Sequence, residues 1–140
     1  MMFLRGNLTF KDLSIYTLMQ ILGGISGVIC VHLMFGENPI TISQIDRSGT
    51  NILLGEFIAT LGLLIVIIHG EKFLPNSLPI LVGSYILSAT FFTSSTCFAN
   101  PAVTISRLFT NSGVGIDSSS IIVFLIVEIL AVFVVSKSIE

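Results

Sequence analysis

The chain has 140 residues, 53% of them hydrophobic and only 10% charged, with a formal net charge of -2. Soluble domains carry about 25% charged residues, so this composition excludes an ordinary water-soluble domain and places the chain in lipid. A slightly acidic balance leaves no electrostatic footprint for nucleic acid, and no nucleic-acid partner is expected.

Residues 1–12 are short and mixed. Met1 to Leu4 are apolar and Arg5-Gly6-Asn7 reads as a helix end; an ordinary chain terminus has the same look. No short apolar core ends in a small-residue cleavage site, so no signal peptide is expected. The first span covers about 13–35, long enough for a ~30 Å hydrocarbon core. Within it, Gln20 is read as an interhelical hydrogen-bonder that braces the bundle. Gly23 and Gly27 lie one turn apart and form a face for close helix approach, though glycine is also generally enriched in membrane helices. His32, near the far end, is read as an interfacial histidine without function. Cys30 and Cys97 both lie in apolar stretches and are read as reduced core or pore residues, not a disulfide or metal pair.

A polar loop follows over 36–51, with Glu37, Pro39, Asp46 and Arg47 but no metal or nucleophile pattern. The second span covers about 52–68 and carries Gly55, Ala59 and Gly62. Glu56 lies inside it. A carboxylate at that depth is costly, so it pairs with backbone N–H groups or faces water. A structural brace is favoured over a proton relay, because no second carboxylate or histidine is near in sequence. His69 is read as a solvated residue in a turn over 69–77. The third span covers about 78–93, and hydroxyls crowd its second half, Ser88 to Thr96. They suit helix-to-helix bonds or a wet wall.

Next comes Cys97-Phe98-Ala99-Asn100-Pro101-Ala102-Val103-Thr104-Ile105-Ser106-Arg107. Asn100 is a good N-cap, Pro101 suits the first helical position, and Asn111 and Gly113 supply a stop. A helix over about 101–110 is about 15 Å long, roughly half a bilayer core. Between two spans, such a half-helix reads as re-entrant, which is tolerated only where it is buried or lines a water-filled cavity. An amphipathic surface helix meets the same spacing. The last span covers about 120–135, with Glu128 near its middle.

Four full spans put Arg5, Lys11, Lys72 and Lys137 on one side, and Arg47 on the other, with Arg107 beside it if the half-helix opens that way. The bias places both termini in the cytoplasm of a plasma (inner) membrane, with the half-helix entering from outside. A weak echo pairs Gln20 with Glu128, each in a span that follows a break, as in inverted repeats. No Ser/His/Asp set, zinc-ligand spacing or phosphate loop appears, so no enzyme, catalytic residue, metal or cofactor is expected.

Asn100-Pro101-Ala102 on a half-helix, Gly55-Glu56-Phe57-Ile58-Ala59-Thr60 and Gln20-Ile21-Leu22-Gly23-Gly24-Ile25-Ser26-Gly27, in this order of spans, resemble the aquaporin (major intrinsic protein) family in its bacterial form. The resemblance covers nearly the whole chain but maps only onto the family's third to sixth spans. It implies a single all-α membrane domain of four transmembrane helices plus one re-entrant half-helix, an N-terminally incomplete aquaporin-like fold. Residues 1–7 resemble the end of a first half-helix. The implied function is passive flow of water or small neutral solutes. Asn100 would donate its amide to the passing molecule, and carbonyls from Cys97 to Ala99 would accept. Glu56 would brace the loop, and the half-helix N-terminus would oppose protons and cations.

The filter departs from the family's common pattern. Val103 stands where many members have arginine. Arg107 lies four residues on, about one turn outward on the same face, as a displaced cationic gate or as an arginine that snorkels. Ser88 and Cys97 match the family's other filter positions in this half, and both are small. A valine with small neighbours implies a wider opening, suited to glycerol-like solutes or metalloid hydroxides. Glu128 stands where the family commonly has glutamine or an apolar residue. It would carry its proton if it lacks a partner, or it marks a degenerating gene fragment. Related proteins form tetramers with one pore per subunit, so a homo-oligomer in the bilayer is implied. The competing reading is a non-conducting remnant, or a subunit that needs a partner supplying the other half of the pore.

Overall fold

The computed structural model of the chain describes residues 8–137. The helix end read at Arg5-Gly6-Asn7 lies outside the described residues. Among them the chain is all-helical, with no strand.

Helix α1 is Phe10–Met34. It starts ahead of the expected residue 13 because Thr9 caps it. The Thr9 hydroxyl accepts from the Asp12 N–H at 3.2 Å and donates to the Asp12 carboxylate at 2.6 Å, which satisfies an otherwise orphan donor in the first turn. Helix α2 is Thr50–Phe73. It runs past the expected end at 68, so His69 is a helix residue and not a turn residue; its Nδ1 pairs with the Ile65 carbonyl one turn back at 3.0 Å. The helix stops at Leu74, at φ -141° and ψ 52°, because the residue before a proline is driven out of the α region. A 3₁₀ turn, Pro75–Ser77, then leads directly into α3, Leu78–Phe92. Helix α4 is Pro101–Ser106, tightening to a 3₁₀ turn over Arg107–Phe109. Helix α5 is Ser118–Lys137.

By length and composition, α1, α2 and α5 suffice to cross a membrane. Helix α3 is shorter, about 22 Å at 1.5 Å per residue. Of its hydroxyls, those of Ser88, Thr90 and Thr93 are spent locally, donating to carbonyls four residues back at 2.7–2.9 Å. Bonds to another helix come from the Tyr85 hydroxyl, which donates to the Ala59 carbonyl of α2 at 3.0 Å, and from Ser94, just beyond α3, which donates to the Asn51 carbonyl at 2.8 Å.

Helix α2 packs mainly on α5 and then on α3, while α1 packs on α4 and the 3₁₀ turn that follows it. The core is two small clusters. One joins Phe98, Ile116 and Phe124, with the Phe98 and Phe124 rings 5.1 Å apart. The other joins Ala59, Ala89 and Cys97. Each cluster takes a residue from the turn before α4, so the interior is built around that turn.

Missing side chains set the close approaches. A Cβ on Gly55 would fall 3.1 Å from the backbone nitrogens of Ser94 and Ser95, and one on Gly24 would strike the Ser106 hydroxyl. The close face of α1 is therefore that of Gly24. Gly23 and Gly27, expected to form it, have nothing within 4 Å of a built Cβ. Gly23, one residue from Gly24, is rotated about 100° off that face, and Gly27 lies along the cavity that Arg107 and Thr110 also line.

Candidate functional site

The turn from Thr93 to Asn100 holds an unusual backbone. Thr96, Cys97 and Ala99 have φ of 64°, 51° and 49°, a left-handed conformation that costs of order 1–3 kcal/mol per non-glycine residue unless the surroundings fix it. Glu56 fixes it. This fully buried carboxylate accepts from the Phe98 N–H at 3.2 Å and the Ala99 N–H at 2.5 Å. Thr60, one turn along α2, donates to it at 3.3 Å. The Ser95 hydroxyl accepts from the Cys97 N–H at 3.3 Å. The chain then extends at Asn100, whose side-chain oxygen accepts from the Ala102 N–H at 2.9 Å and starts α4. That bond spends the Asn100 oxygen and leaves its amide N–H₂ as a donor. Among the described residues, nothing donates to the carbonyls of Cys97, Phe98 and Ala99.

Below the turn, α4 rests on α5. Thr104 donates to Glu128 Oε1 at 2.6 Å, and both side chains are buried. Glu128 Oε2 is buried with no hydrogen-bond partner among the described residues. The Glu56 charge lies within electrostatic reach of it.

Above the turn, residues 36–49 form a strap. Its backbone bonds along the 3₁₀ turn, Thr41 N–H to the Phe109 carbonyl at 3.1 Å and Ser43 N–H to the Leu108 carbonyl at 2.8 Å. Arg47 is the strap's buried anchor. Its Nε donates to Gly115 at 2.6 Å, Nη1 to Ser95 at 3.0 Å and Nη2 to Gly113 at 2.8 Å, all backbone carbonyls. Its guanidinium carbon lies 5.0 Å from the centre of the Phe98 ring, and that of Arg107 lies 4.0 Å from the same ring. At the outer edge, Ser120 donates to Asp46 at 3.1 Å, and Asp117 accepts from the Ser120 N–H at 3.0 Å. Hydrogen bonds, from Ser48 first for Asp46 and from Ser119 first for Asp117, hold both carboxyls below the usual aspartate value.

The sequence that builds this site has a known relative. The chain is 42% identical over 127 residues to the aquaglyceroporin AqpS of Rhizobium meliloti (strain 1021), an alignment covering 91% of this chain. The chain is an aquaporin relative. It is an integral membrane protein, and it spans about half the length, 54%, of the curated relative it matches. No family model and no solved structure matches it.

On this aquaporin-like frame, the residues singled out from sequence fall in several places. Glu56, Cys97, Asn100, Pro101 and Ala102 meet at the turn. Val103 is half-buried and packs against the Phe98 cluster. Arg107 is half-buried, with a long 3.4 Å bond from Nη1 to the Thr96 hydroxyl. It lines a cavity of about 730 Å³ shared with His32, Glu37 and Asn111. Ser88 is exposed on α3 and bonded within that helix. Gln20 is exposed, and its amide makes no hydrogen bond among the described residues; α1 turns Ile21 and Gly24 toward α4 instead, so Gln20 braces nothing there. Cys30 is exposed and Cys97 buried, both free thiols. No cluster of His, Cys, Asp or Glu suited to a metal occurs among the described residues.

His32 is not an idle interfacial residue. It is buried, its Nδ1 lies 2.8 Å from the Asn38 carbonyl, and its Nε2 lies 2.8 Å from the Thr110 hydroxyl. It ties the end of α1 to the strap and to the segment after α4. Sequence reading also passed over Arg47, Thr104 and Phe98. The usable signal for Arg47 was a loop arginine, one of three in a chain that has few charges.

Proposed function

We propose that the chain is channel-forming, for passive movement of water or small neutral solutes. The observation that carries this is the run of unspent carbonyls, Cys97 to Ala99, ending at an Asn100 amide that is itself unspent. Backbone acceptors without a protein partner take one from solvent or solute. A file of small hydroxylic molecules supplies such partners, while Glu56 keeps the strained turn in shape. The relationship to an aquaglyceroporin points the same way, to a channel and not an enzyme. In this reading α3 also crosses the membrane, as the third of four spans, both termini are cytoplasmic in the plasma membrane, and the chain works as a homo-oligomer.

Ser88, Cys97, Val103 and Arg107 are the filter set of this proposal. The apolar Val103 leaves room for glycerol-like solutes, and Arg107 supplies a displaced cation one turn outward. Substituting Val103→Arg is expected to cut glycerol entry more than water entry; unchanged glycerol permeability would contradict a wide filter.

The main test is the shrinking and reswelling of lipid vesicles carrying the full chain, followed by light scattering. Faster water and glycerol exchange than in protein-free vesicles is expected, with Asn100→Ala slowing it by about tenfold, the scale of one lost hydrogen bond. Rates equal to bare lipid would overturn conduction by this chain alone. A second reading would then lead, supported by α1, where His32 is the one buried residue. There the chain is a subunit whose pore another chain completes against that open face.

A further inference from the structure

Arg47 and Arg107 share one aromatic ring, yet the protein uses them differently. Arg47 is 5% exposed and commits three of its five donors to the carbonyls of Ser95, Gly113 and Gly115. Arg107 has a single long bond to Thr96 and lines the cavity. No carboxylate forms an ion pair with either among the described residues. Both guanidinium carbons lie within 5.0 Å of the Phe98 ring centre, and Arg107 bonds to Thr96, the neighbour of Ser95, so the carbonyls that Arg47 occupies are acceptors near the Arg107 side chain. The two like charges also repel, which disfavours Arg107 moving toward Arg47.

We propose that Arg47 is a positioning residue for Arg107: by filling the carbonyl cage of Ser95, Gly113 and Gly115 it keeps the Arg107 guanidinium uncommitted and turned to the cavity, where it can meet a polar solute. This rests on the reading of Arg107 as the cation of the pore mouth, and extends it to the residue that keeps that cation available. A structural clamp alone predicts a different response to its removal. Loosened loops would expose Arg107 further, whereas an emptied cage would draw it in.

The test is labelling of the full-length protein in lipid vesicles with phenylglyoxal, an arginine-selective reagent, with Arg47 and Arg107 quantified separately by peptide mass spectrometry. In the wild type, Arg107 should react about tenfold faster than Arg47, the scale of one committed charge-assisted hydrogen bond. Substituting Arg47→Gln should slow Arg107 labelling by about tenfold as Arg107 enters the cage. Arg47→Lys, which keeps a cation in the cage, should restore labelling to within about twofold of wild type. Arg107 labelling that rises or stays unchanged in Arg47→Gln would overturn the proposal. So would equal reactivity of the two arginines in the folded wild type, a comparison that needs no variant to fold. Labelling is read without transport, so a failure here is separate from a failure to conduct.

Discussion

Glu56 on α2 and Glu128 on α5 are both buried in the same helix pair, and their surroundings differ. Glu56 has both oxygens occupied, by the N–H groups of Phe98 and Ala99. Glu128 has one oxygen bonded to Thr104 and one with no partner among the described residues. A carboxylate that answers several backbone donors fixes a conformation the chain would otherwise leave, here the left-handed turn at Thr96 to Ala99. A carboxyl with an orphan oxygen stabilises little, because its desolvation is uncompensated. Depth in the bundle is therefore a poor guide to what a buried acid does; its bonding partners are the better one.

Substitutions can break or sharpen this contrast. The largest effect is expected for Glu56→Leu, which leaves the Phe98 and Ala99 N–H groups without acceptors. The cost should be about 3–5 kcal/mol of stability in detergent or lipid, read by denaturant unfolding. Glu128→Leu should cost less, about 1–3 kcal/mol, because it leaves only the buried Thr104 hydroxyl without its acceptor and removes an orphan oxygen as well. A loss as large as that of Glu56→Leu would erase the distinction. The turn's seat can be probed from its other side. Gly55→Val should cost about 1–3 kcal/mol by overpacking against Ser94 and Ser95, whereas Gly23→Ala on the open face should gain about 0.5–1 kcal/mol from helix propensity. Thermal midpoints of the two variants, measured side by side, check both signs.

The smallest effect is one of pH, at the strap. Asp46 and Asp117 titrate below the ordinary aspartate value when folded. A depressed folded value means that their contribution is complete above the unfolded value and is lost as pH falls through the folded one. Stability should thus be flat near neutrality and decline on the acid side. Asp46→Asn with Asp117→Asn should shallow that decline, as followed by unfolding midpoints against pH. An equally steep acid limb in the double variant would assign it to other groups.

Much of this was legible in the chain. Apolar runs marked the helices, and Asn100-Pro101 marked the start of α4, since cap and first-turn chemistry are local. Glu56 stood out as a charge at membrane depth. Contacts across the fold were not legible. Nothing local told Gly24 from Gly23 as the close face, because one residue of helix phase decides it. Nothing in 36–51 said that Arg47 would reach three carbonyls far along the chain, or that His32 would fasten strap to turn. Gln20 had the composition of a brace, but α1 presents it away from α4.

The most direct test of the Glu56 brace is hydrogen exchange at single amides of the full chain in lipid, read at Phe98 and Ala99. Both amides should exchange slowly in the wild type and much faster in Glu56→Gln, which offers a single acceptor oxygen, while α5 amides are unchanged. Equal exchange at Phe98 and Ala99 in the two proteins would contradict the brace, and with it the claim that Glu56 holds the turn leading to Asn100.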